Sequence, residues 1–375
     1  MMLEKGRISP RQTGQLLFMT TIATVIFFAP SMIAGLAGHD AWLAALAGPM
    51  FALITLLLII WLGRKHPGLT IFQYSEVILG RWLGKTVALL YVWGFLHIGA
   101  IAVREFGDFM TTSFMSHTPI SLFNFSIILL CAWSVITGLE VIARMNEFII
   151  ILLVSFLLLI LMFSTPNWEL GYLLPFFSRG AMPVLQAALI PAAWHGNIIV
   201  LAVILPFITR PARAFFAGTA AVLTSATLLT VGVIGMTAVF GPELSSSFLF
   251  PLHLFAQTIN IGQIITRFES AVMTIWTAGI FIKTSVFYYC AALGLAQILN
   301  LKEVRPVVLP LGILLGTLSI SLFEDVTMLV SFLEKTRPLY TLSLYSFGLP
   351  LLLFAVTLIR EKIFGSRFGE ETNEA

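Results

Sequence analysis

The sequence predicts an all-α integral membrane protein of about ten transmembrane helices, folded as a single domain over residues 1–375. Three observations predict this fold. Hydrophobic residues make up 58% of the chain, apolar windows of about 20 residues recur along its length, and a long loop at 165–183 separates two sets of five windows. A set of five spans ends on the opposite side of the membrane from where it began, because five is odd. The second set is therefore inverted relative to the first. The predicted halves of this five-plus-five repeat are residues 9–164 and 181–362.

The individual spans follow from hydropathy in chain order. The first begins with a capping pattern, since Ser9 can cap the helix, Pro10 suits its first position and Gln12 can bond back to the cap. The apolar windows lie at 12–37, 41–62, 85–113, 120–139, 145–164, 184–208, 215–240, 269–298, 307–324 and 339–360.

Composition excludes several classes of protein. Only 10% of the residues are charged and the mean hydropathy is +0.98, whereas soluble domains carry about a quarter charged residues. The net charge of +3 is too small to indicate a nucleic acid partner. Cys131, Cys290 and the six histidines show no metal-ligand spacing. With no nucleophile–base motif either, the sequence predicts neither an enzyme nor a bound cofactor or metal.

The distribution of positive charge predicts the orientation. Most of the 21 lysines and arginines lie at span ends that share one side of the bilayer, so both termini are expected in the cytoplasm. Arg104 and Lys283 fall inside spans. The residues expected outside or near the outer edge are Arg179, Arg267, Lys335 and Arg337.

A break in span six is the strongest indication of function. Residues 191–197 combine a proline, a glycine, an imidazole and an amide within apolar sequence. A helix in lipid is interrupted only where the freed backbone groups face protein or water, so this pattern predicts a binding site near the bilayer midplane. By symmetry span one breaks at the same depth, in the threonine-rich residues 20–25. A competing match, Pro30 to Gly35, shares the proline–glycine spacing but lies near the outer surface.

Two short amphipathic stretches support the inverted repeat. Residues 69–74 lead to Gly80 and a long span, and residues 252–257 lead to Gly262 and a second long span. Chance similarity between apolar sequences is the alternative interpretation.

Several motifs resemble the spore germination permeases, which are the B-type membrane subunits of germinant receptors. They are Ile8-Ser9-Pro10-Arg11-Gln12, Pro30, Ala37-Gly38-His39-Asp40-Ala41-Trp42-Leu43 and Gly138-Leu139-Glu140-Val141-Ile142-Ala143-Arg144. The resemblance covers nearly the whole chain. It implies a branch of the amino acid–polyamine–organocation carriers with the LeuT-like fold, in which helices 1 and 6 are broken. Members of the family often have a glycine in the first break, where this chain has Ala23-Thr24.

The resemblance also implies partners and a location. It implies a subunit that binds a small nutrient, often an amino acid, and that acts beside an A-type membrane subunit and a C-type lipoprotein in the spore inner membrane. The alternative is an active proton-coupled amino acid transporter or exchanger, because a sensor and a transporter need the same pocket.

The predicted ligand site draws on four spans. Its residues are Thr21, Ala23 and Thr24 of span one, His97 of span three, Trp194, His195, Gly196 and Asn197 of span six, and Phe281 and Thr284 of span eight. Each has a structural alternative. The threonine hydroxyls can bond back to their own helix, and the span-six polar groups can fill a kink.

The charged residues within or beside spans are expected to act in ion coupling or gating. Lys283 needs a carboxylate or a cavity, or must lose its proton. It either takes the place of a sodium ion, as a buried lysine can in carriers of this fold, or is a structural counter-charge for Glu269 or for a partner subunit. We expect the face at 277, 281, 284 and 288, rather than Lys283, to line the pocket. Glu105 is a candidate outer gate or proton site. Glu140 and Arg144, with Glu147 on the same face, form an inner gate or a folding salt bridge.

Overall fold

The computed structural model describes residues 4, 6–259 and 268–364, without the side chains of residues 268, 269 and 364. Gly262, Arg267 and the Glu269 side chain therefore lie outside the described residues. The described part is almost wholly helical. Its α-helices are α1 (Pro10–Ala37), α2 (Ala41–Ala47), α3 (Phe51–Lys65), α4 (Ile71–Leu79), α5 (Arg81–Ser113), α6 (Ile120–Thr137), α7 (Leu139–Ser164), α8 (Ala181–His195), α9 (Leu201–Ile204), α10 (Ala214–Ser246), α11 (Pro251–Gln257), α12 (Phe268–Ile298), α13 (Arg305–Ser321), α14 (Val326–Ser331), α15 (Arg337–Tyr340) and α16 (Gly348–Phe364).

The membrane-spanning character of the fold is confirmed. Eight helical segments of the described chain are long and apolar enough to cross a bilayer, and the 17-residue α13 is a shorter apolar helix. The first segment, Pro10–Lys65, is 56 residues long and contains two of the predicted spans. They part at Gly38, whose φ of +59° is not helical. The count of ten spans and the division into two halves stay predictions.

Helix α1 is the central element of the bundle. It begins with the predicted cap. The Gln12 backbone nitrogen donates to Ser9 Oγ (3.2 Å), and the Ser9 backbone nitrogen donates to Gln12 Oε1 (2.8 Å). From this capped start it packs against α7, α8, α10 and α12. An almost entirely buried helix of this kind has no polar face, so its interactions with its neighbours come from particular side chains.

The predicted break in span one is wrong. Helix α1 runs without interruption from Pro10 to Ala37, through the threonine segment and through Pro30. The reason is local. Thr20 and Thr21 donate their hydroxyls to the Leu17 carbonyl at 2.8 and 3.4 Å, so these threonines bond within their own helix. The segment also contains no glycine, the residue type that would make unwinding easier.

Span six is loosened, and the predicted break is present only in this milder form. After α8 the chain winds as a 3-10 helix over Gly196–Val200, continues as α9, and tightens again over Leu205–Phe207. Gly196 keeps helical dihedral angles (φ −57°, ψ −17°). The backbone therefore changes its hydrogen-bond pattern at the predicted position without opening into a loop.

The last span departs most from regular helix geometry. Two π-helical stretches, Phe332–Thr336 and Thr341–Ser346, flank the short helix α15. π-helical turns are uncommon and occur frequently at functional sites. The second stretch packs against the 3-10 segment of span six, so the two irregular parts of the bundle face each other.

The N-terminal segment closes one end of the bundle. Ile8 pairs with the end of span six, since its nitrogen donates to Phe207 O (3.0 Å) and its carbonyl accepts from Thr209 N (2.9 Å). Glu4 Oε2 accepts from Leu139 N at 3.2 Å and from the Tyr289 hydroxyl at 2.9 Å. Four separate parts of the chain are thus joined at this end.

A close approach between spans two and six gives a test of the packing. A Cβ added to Gly48 would lie 2.2 Å from the Ala188 carbonyl oxygen and 2.6 Å from Pro191 Cγ. Gly48→Ala should therefore lower the stability by about 1–3 kcal/mol, because backbone atoms must move. Gly171→Ala is the control, since nothing lies within 4 Å of its added Cβ. Thermal unfolding of the purified variants measures the difference, and equal stability of the two would contradict this packing.

Candidate functional site

The Thr24 hydroxyl joins three helices in the middle of the bundle. It accepts hydrogen bonds from Trp194 Nε1 of α8 at 2.8 Å and from Lys283 Nζ of α12 at 2.5 Å. All three side chains are at most 1% exposed. A threonine hydroxyl has two acceptor positions, so both are occupied here. Thr24, Trp194 and Lys283 were all singled out from the sequence, and the structure brings them into direct contact.

Two carbonyls of α1 accept hydrogen bonds from neighbouring helices beside this hydroxyl. Trp276 Nε1 donates to Ala23 O at 2.5 Å, and Asn197 Nδ2 donates to Thr20 O at 2.9 Å. These are the carbonyls that a broken helix would offer to a ligand. Since α1 is continuous, side chains of α12 and span six occupy them instead. The Asn197 Oδ1 atom is buried without a hydrogen-bond partner.

Lys283 itself, and not the face beside it, points at α1. The Phe281 carbonyl accepts a weak hydrogen bond from Cys131 Sγ of α6 at 3.6 Å, and Tyr288 donates to the Val308 carbonyl of α13. The face at 277, 281, 284 and 288 is thereby turned toward α6 and α13. The Thr284 hydroxyl is fully buried and has no partner.

Glu105 lies on α5 with its carboxylate 1% exposed and both oxygens without a hydrogen-bond partner. The charges that act on it most strongly are Lys283 and Arg337, yet none of the ion pairs in the described part of the chain joins Glu105 to either. Glu105 is thus buried within the bundle, and its role as an outer gate or proton site stays a prediction. On the same helix, Arg104 forms an ion pair with Asp108 at 2.8 Å.

Arg337 also belongs to this cluster, which is not where the sequence predicted it. We expected it near the outer edge, but it is 1% exposed, and its guanidinium carbon lies 3.9 Å from the centre of the Trp194 ring. Its Nε and Nη1 atoms are buried without hydrogen-bond partners. The predicted tenth span began two residues after it, so the arginine was assigned to a loop. Glu334, Lys335 and Thr336 come directly before it, and this polar stretch gave no signal that Arg337 is buried.

His195 and Gly196 face other parts of the bundle. His195 Nδ1 lies 2.8 Å from the Pro191 carbonyl and Nε2 lies 3.0 Å from Ser225 Oγ. Because the carbonyl can only accept, Nδ1 carries the proton and Nε2 accepts from the serine. This histidine therefore ties α8 to α10. A Cβ on Gly196 would lie 2.3 Å from Ser346 Oγ in the last span, so the glycine permits this contact.

His97 and Thr21 lie apart from the Thr24 hydroxyl. His97 stacks on Trp93 and meets the Tyr340 ring edge-on, with 5.4 Å between ring centres. It also lines a cavity of about 490 Å³ together with Asp325 and other residues of the last span. The Thr21 hydroxyl bonds within α1.

The predicted inner gate is a surface ion pair. Arg144 and Glu140 bond along α7 with 67% and 38% of their side chains exposed. Glu147 instead accepts from Gln12 Nε2 at 3.3 Å, which links α7 to the start of α1. Among the described residues no group of three or more histidines, cysteines or carboxylates is arranged to hold a metal ion.

Comparison with solved structures identifies the fold. The chain superimposes on Mhp1, a nucleobase-cation-symport-1 family transporter in a closed conformation with bromovinylhydantoin bound, with a TM-score of 0.73 and 13% identity over 98% of this chain and 96% of the other. A Na⁺-coupled sialic acid symporter in a substrate-bound outward-open state gives a TM-score of 0.66, with 13% identity over 98% and 88% of the two chains. The LeuT-like fold is therefore confirmed.

Comparison of sequences identifies the family. A family model described as spore germination protein matches residues 7–326. Spore germination protein KB of Bacillus subtilis (strain 168) is 25% identical, with 99% of this chain and 100% of the relative covered. Spore germination protein YndE of the same organism is 28% identical over 86% and 88% of the two chains. The chain is thus a multi-pass membrane protein, not an enzyme, and it belongs to the spore germination protein family.

Proposed function

We propose that this chain is the membrane subunit of a spore germinant receptor and that it binds a small nutrient, such as an amino acid, beside Thr24. The family relationship supports the role in germination. The transporter fold supports a ligand site within the membrane, because such folds bind their substrates near the bilayer midplane. Helices α1, α8, α12 and α15 would surround the ligand.

The observation that carries this proposal is a set of buried polar atoms that lack partners. They are both oxygens of Glu105, Nε and Nη1 of Arg337 and Oδ1 of Asn197. A buried polar group left without a partner costs about 1–3 kcal/mol. Polar and charged groups within membrane spans are usually functional for this reason. A small polar ligand would satisfy several of them at once.

The nutrient would act by favouring one arrangement of spans six and ten. Their irregular segments meet at Gly196 and Ser346, and a ligand can shift an equilibrium only through different contacts in its two states. Contacts to Asn197 and Arg337 would draw these segments toward α1. The signal would pass to an A-type membrane subunit and a C-type lipoprotein in the spore inner membrane, with both termini of this chain in the cytoplasm.

A proton-coupled amino acid transporter or exchanger is the second candidate. The transporter fold and the unpaired Glu105 carboxylate within a span favour it. Uptake of labelled amino acids into proteoliposomes that contain this subunit alone distinguishes the two functions. The receptor proposal predicts uptake at the level of empty liposomes, and robust uptake would favour the transporter.

Thr24→Val tests the site directly. The change removes the acceptor shared by Trp194 and Lys283, so we expect the nutrient response of spores that carry the variant receptor to be lost. Thr24→Ser keeps the hydroxyl and should retain the response. The measurement is the loss of refractility against the concentration of a mixture of common amino acids and sugars, with immunoblots of the subunit as a control. A normal response from Thr24→Val would place the ligand elsewhere.

Gly196→Ala tests the contact between spans six and ten. The added Cβ would lie 2.3 Å from Ser346 Oγ but 3.4 Å from Ser346 Cβ. We therefore expect Gly196→Ala to weaken the germination response, and a second change, Ser346→Ala, to restore it by removing the hydroxyl. The same spore assay measures both. The contact has no role in the response if the single variant behaves as the wild type or if the double variant gives no recovery.

A further inference from the structure

More basic than acidic side chains are buried around Thr24. Lys283 and Arg337 are basic and Glu105 is acidic, and all three residues are at most 1% exposed. The neighbouring Arg104 and Asp108 form an ion pair with each other at 2.8 Å. A charge buried within a membrane protein without a counter-charge is costly. A ligand with a negative charge would supply a partner for the second basic side chain.

Arg337 is the group best placed to receive that charge. The carbon of its guanidinium lies 3.9 Å from the centre of the Trp194 ring, and two of its nitrogens have no hydrogen-bond partner. A planar guanidinium matches a carboxylate through two parallel hydrogen bonds, which an ammonium cannot do. The Lys283 ammonium, in contrast, already donates a hydrogen bond to the Thr24 hydroxyl at 2.5 Å.

The backbone does not offer an equivalent site in α1. In broken membrane helices the free N–H groups at a half-helix start hold a carboxylate. Here α1 is continuous from Pro10 to Ala37, so its interior N–H groups are used within the helix. Span six likewise stays helical through Gly196–Val200. A carboxylate within this bundle therefore needs a side-chain donor.

We propose that Arg337 binds a carboxylate of the nutrient, and that the site accordingly selects carboxylate-bearing compounds over neutral sugars. This inference rests on the proposed function, since it concerns the same site. It adds the class of ligand and the residue that recognises it. A carboxylate here would give the cluster two acidic groups beside its two basic side chains and would satisfy the free nitrogens of Arg337.

The first experiment needs no variant. The full-length protein in lipid nanodiscs is screened by thermal shift against the twenty common L-amino acids, D-glucose, D-fructose and inosine. Each stabilising amino acid is then compared with its carboxamide. We expect every stabilising compound to carry a carboxylate, and amidation to weaken binding by at least about tenfold, the value of a charge-assisted hydrogen bond. Equal binding of acid and amide would overturn the proposal.

Variants of Arg337 then locate the contact. Arg337→Gln should weaken binding of the same amino acid at least about tenfold, and Arg337→Lys should weaken it less, since the charge stays but the fork is lost. Arg305→Gln, an exposed change at the start of α13, should bind as the wild type. Unchanged affinity in a folded Arg337→Gln protein would overturn the assignment. If that variant does not fold, the comparison of acid with amide decides.

The outcomes also separate this inference from the proposed function. Stabilisation by sugars or inosine alone, lost in Thr24→Val, would leave the ligand site intact and overturn the carboxylate assignment. A wild-type protein that none of these compounds stabilises would count against both.

Discussion

The Thr24 hydroxyl is the interaction on which the centre of this protein depends. It accepts hydrogen bonds from the Lys283 ammonium and the Trp194 indole, in an interior that offers few other acceptors. Lys283 and Trp194 both donate to it, and so α1, α8 and α12 are fixed in register at a single atom. The other features of the cluster follow from that position. The Trp194 ring supports the Arg337 guanidinium, and Lys283 and Arg337 set the field at Glu105.

The bilayer imposes a second constraint, since backbone groups at membrane depth must be paired within the protein. This chain meets it with less unwinding than a broken-helix design requires. Helix α1 stays continuous, span six passes through a 3-10 turn at Gly196–Val200, and the last span has π-helical stretches on both sides of α15. Side chains, rather than free backbone groups, therefore make the polar contacts at the centre of the bundle. That difference is why we propose a charged residue of the last span, rather than a helix end, as the ligand-binding group.

The fold could be predicted from sequence because hydropathy windows and the Ser9 cap depend on local composition. The contact between spans one and six, made by the Thr24–Trp194 and Thr20–Asn197 hydrogen bonds, could also be predicted, from a glycine and an amide in apolar sequence. The continuity of α1 could not, since a threonine hydroxyl bonds equally well to its own helix or to a ligand. The direction of Lys283 could not be predicted either, since an apolar helix without a polar face gives no signal for its rotation about its own axis. Arg337 was missed because the segment that contains it was predicted to be a loop. In the structure this segment is helical, lies between two π-helical stretches, and buries the arginine side chain.

The most direct test of this account is the energetic coupling between Thr24 and Lys283. A double-mutant cycle with Thr24→Val, Lys283→Met and the double variant, measured by unfolding of the purified protein, isolates their interaction. The account predicts a coupling of about 1–3 kcal/mol, the value of a buried hydrogen bond to a charged group. Effects that add to within about 0.5 kcal/mol would show that the two residues act independently, and would contradict it.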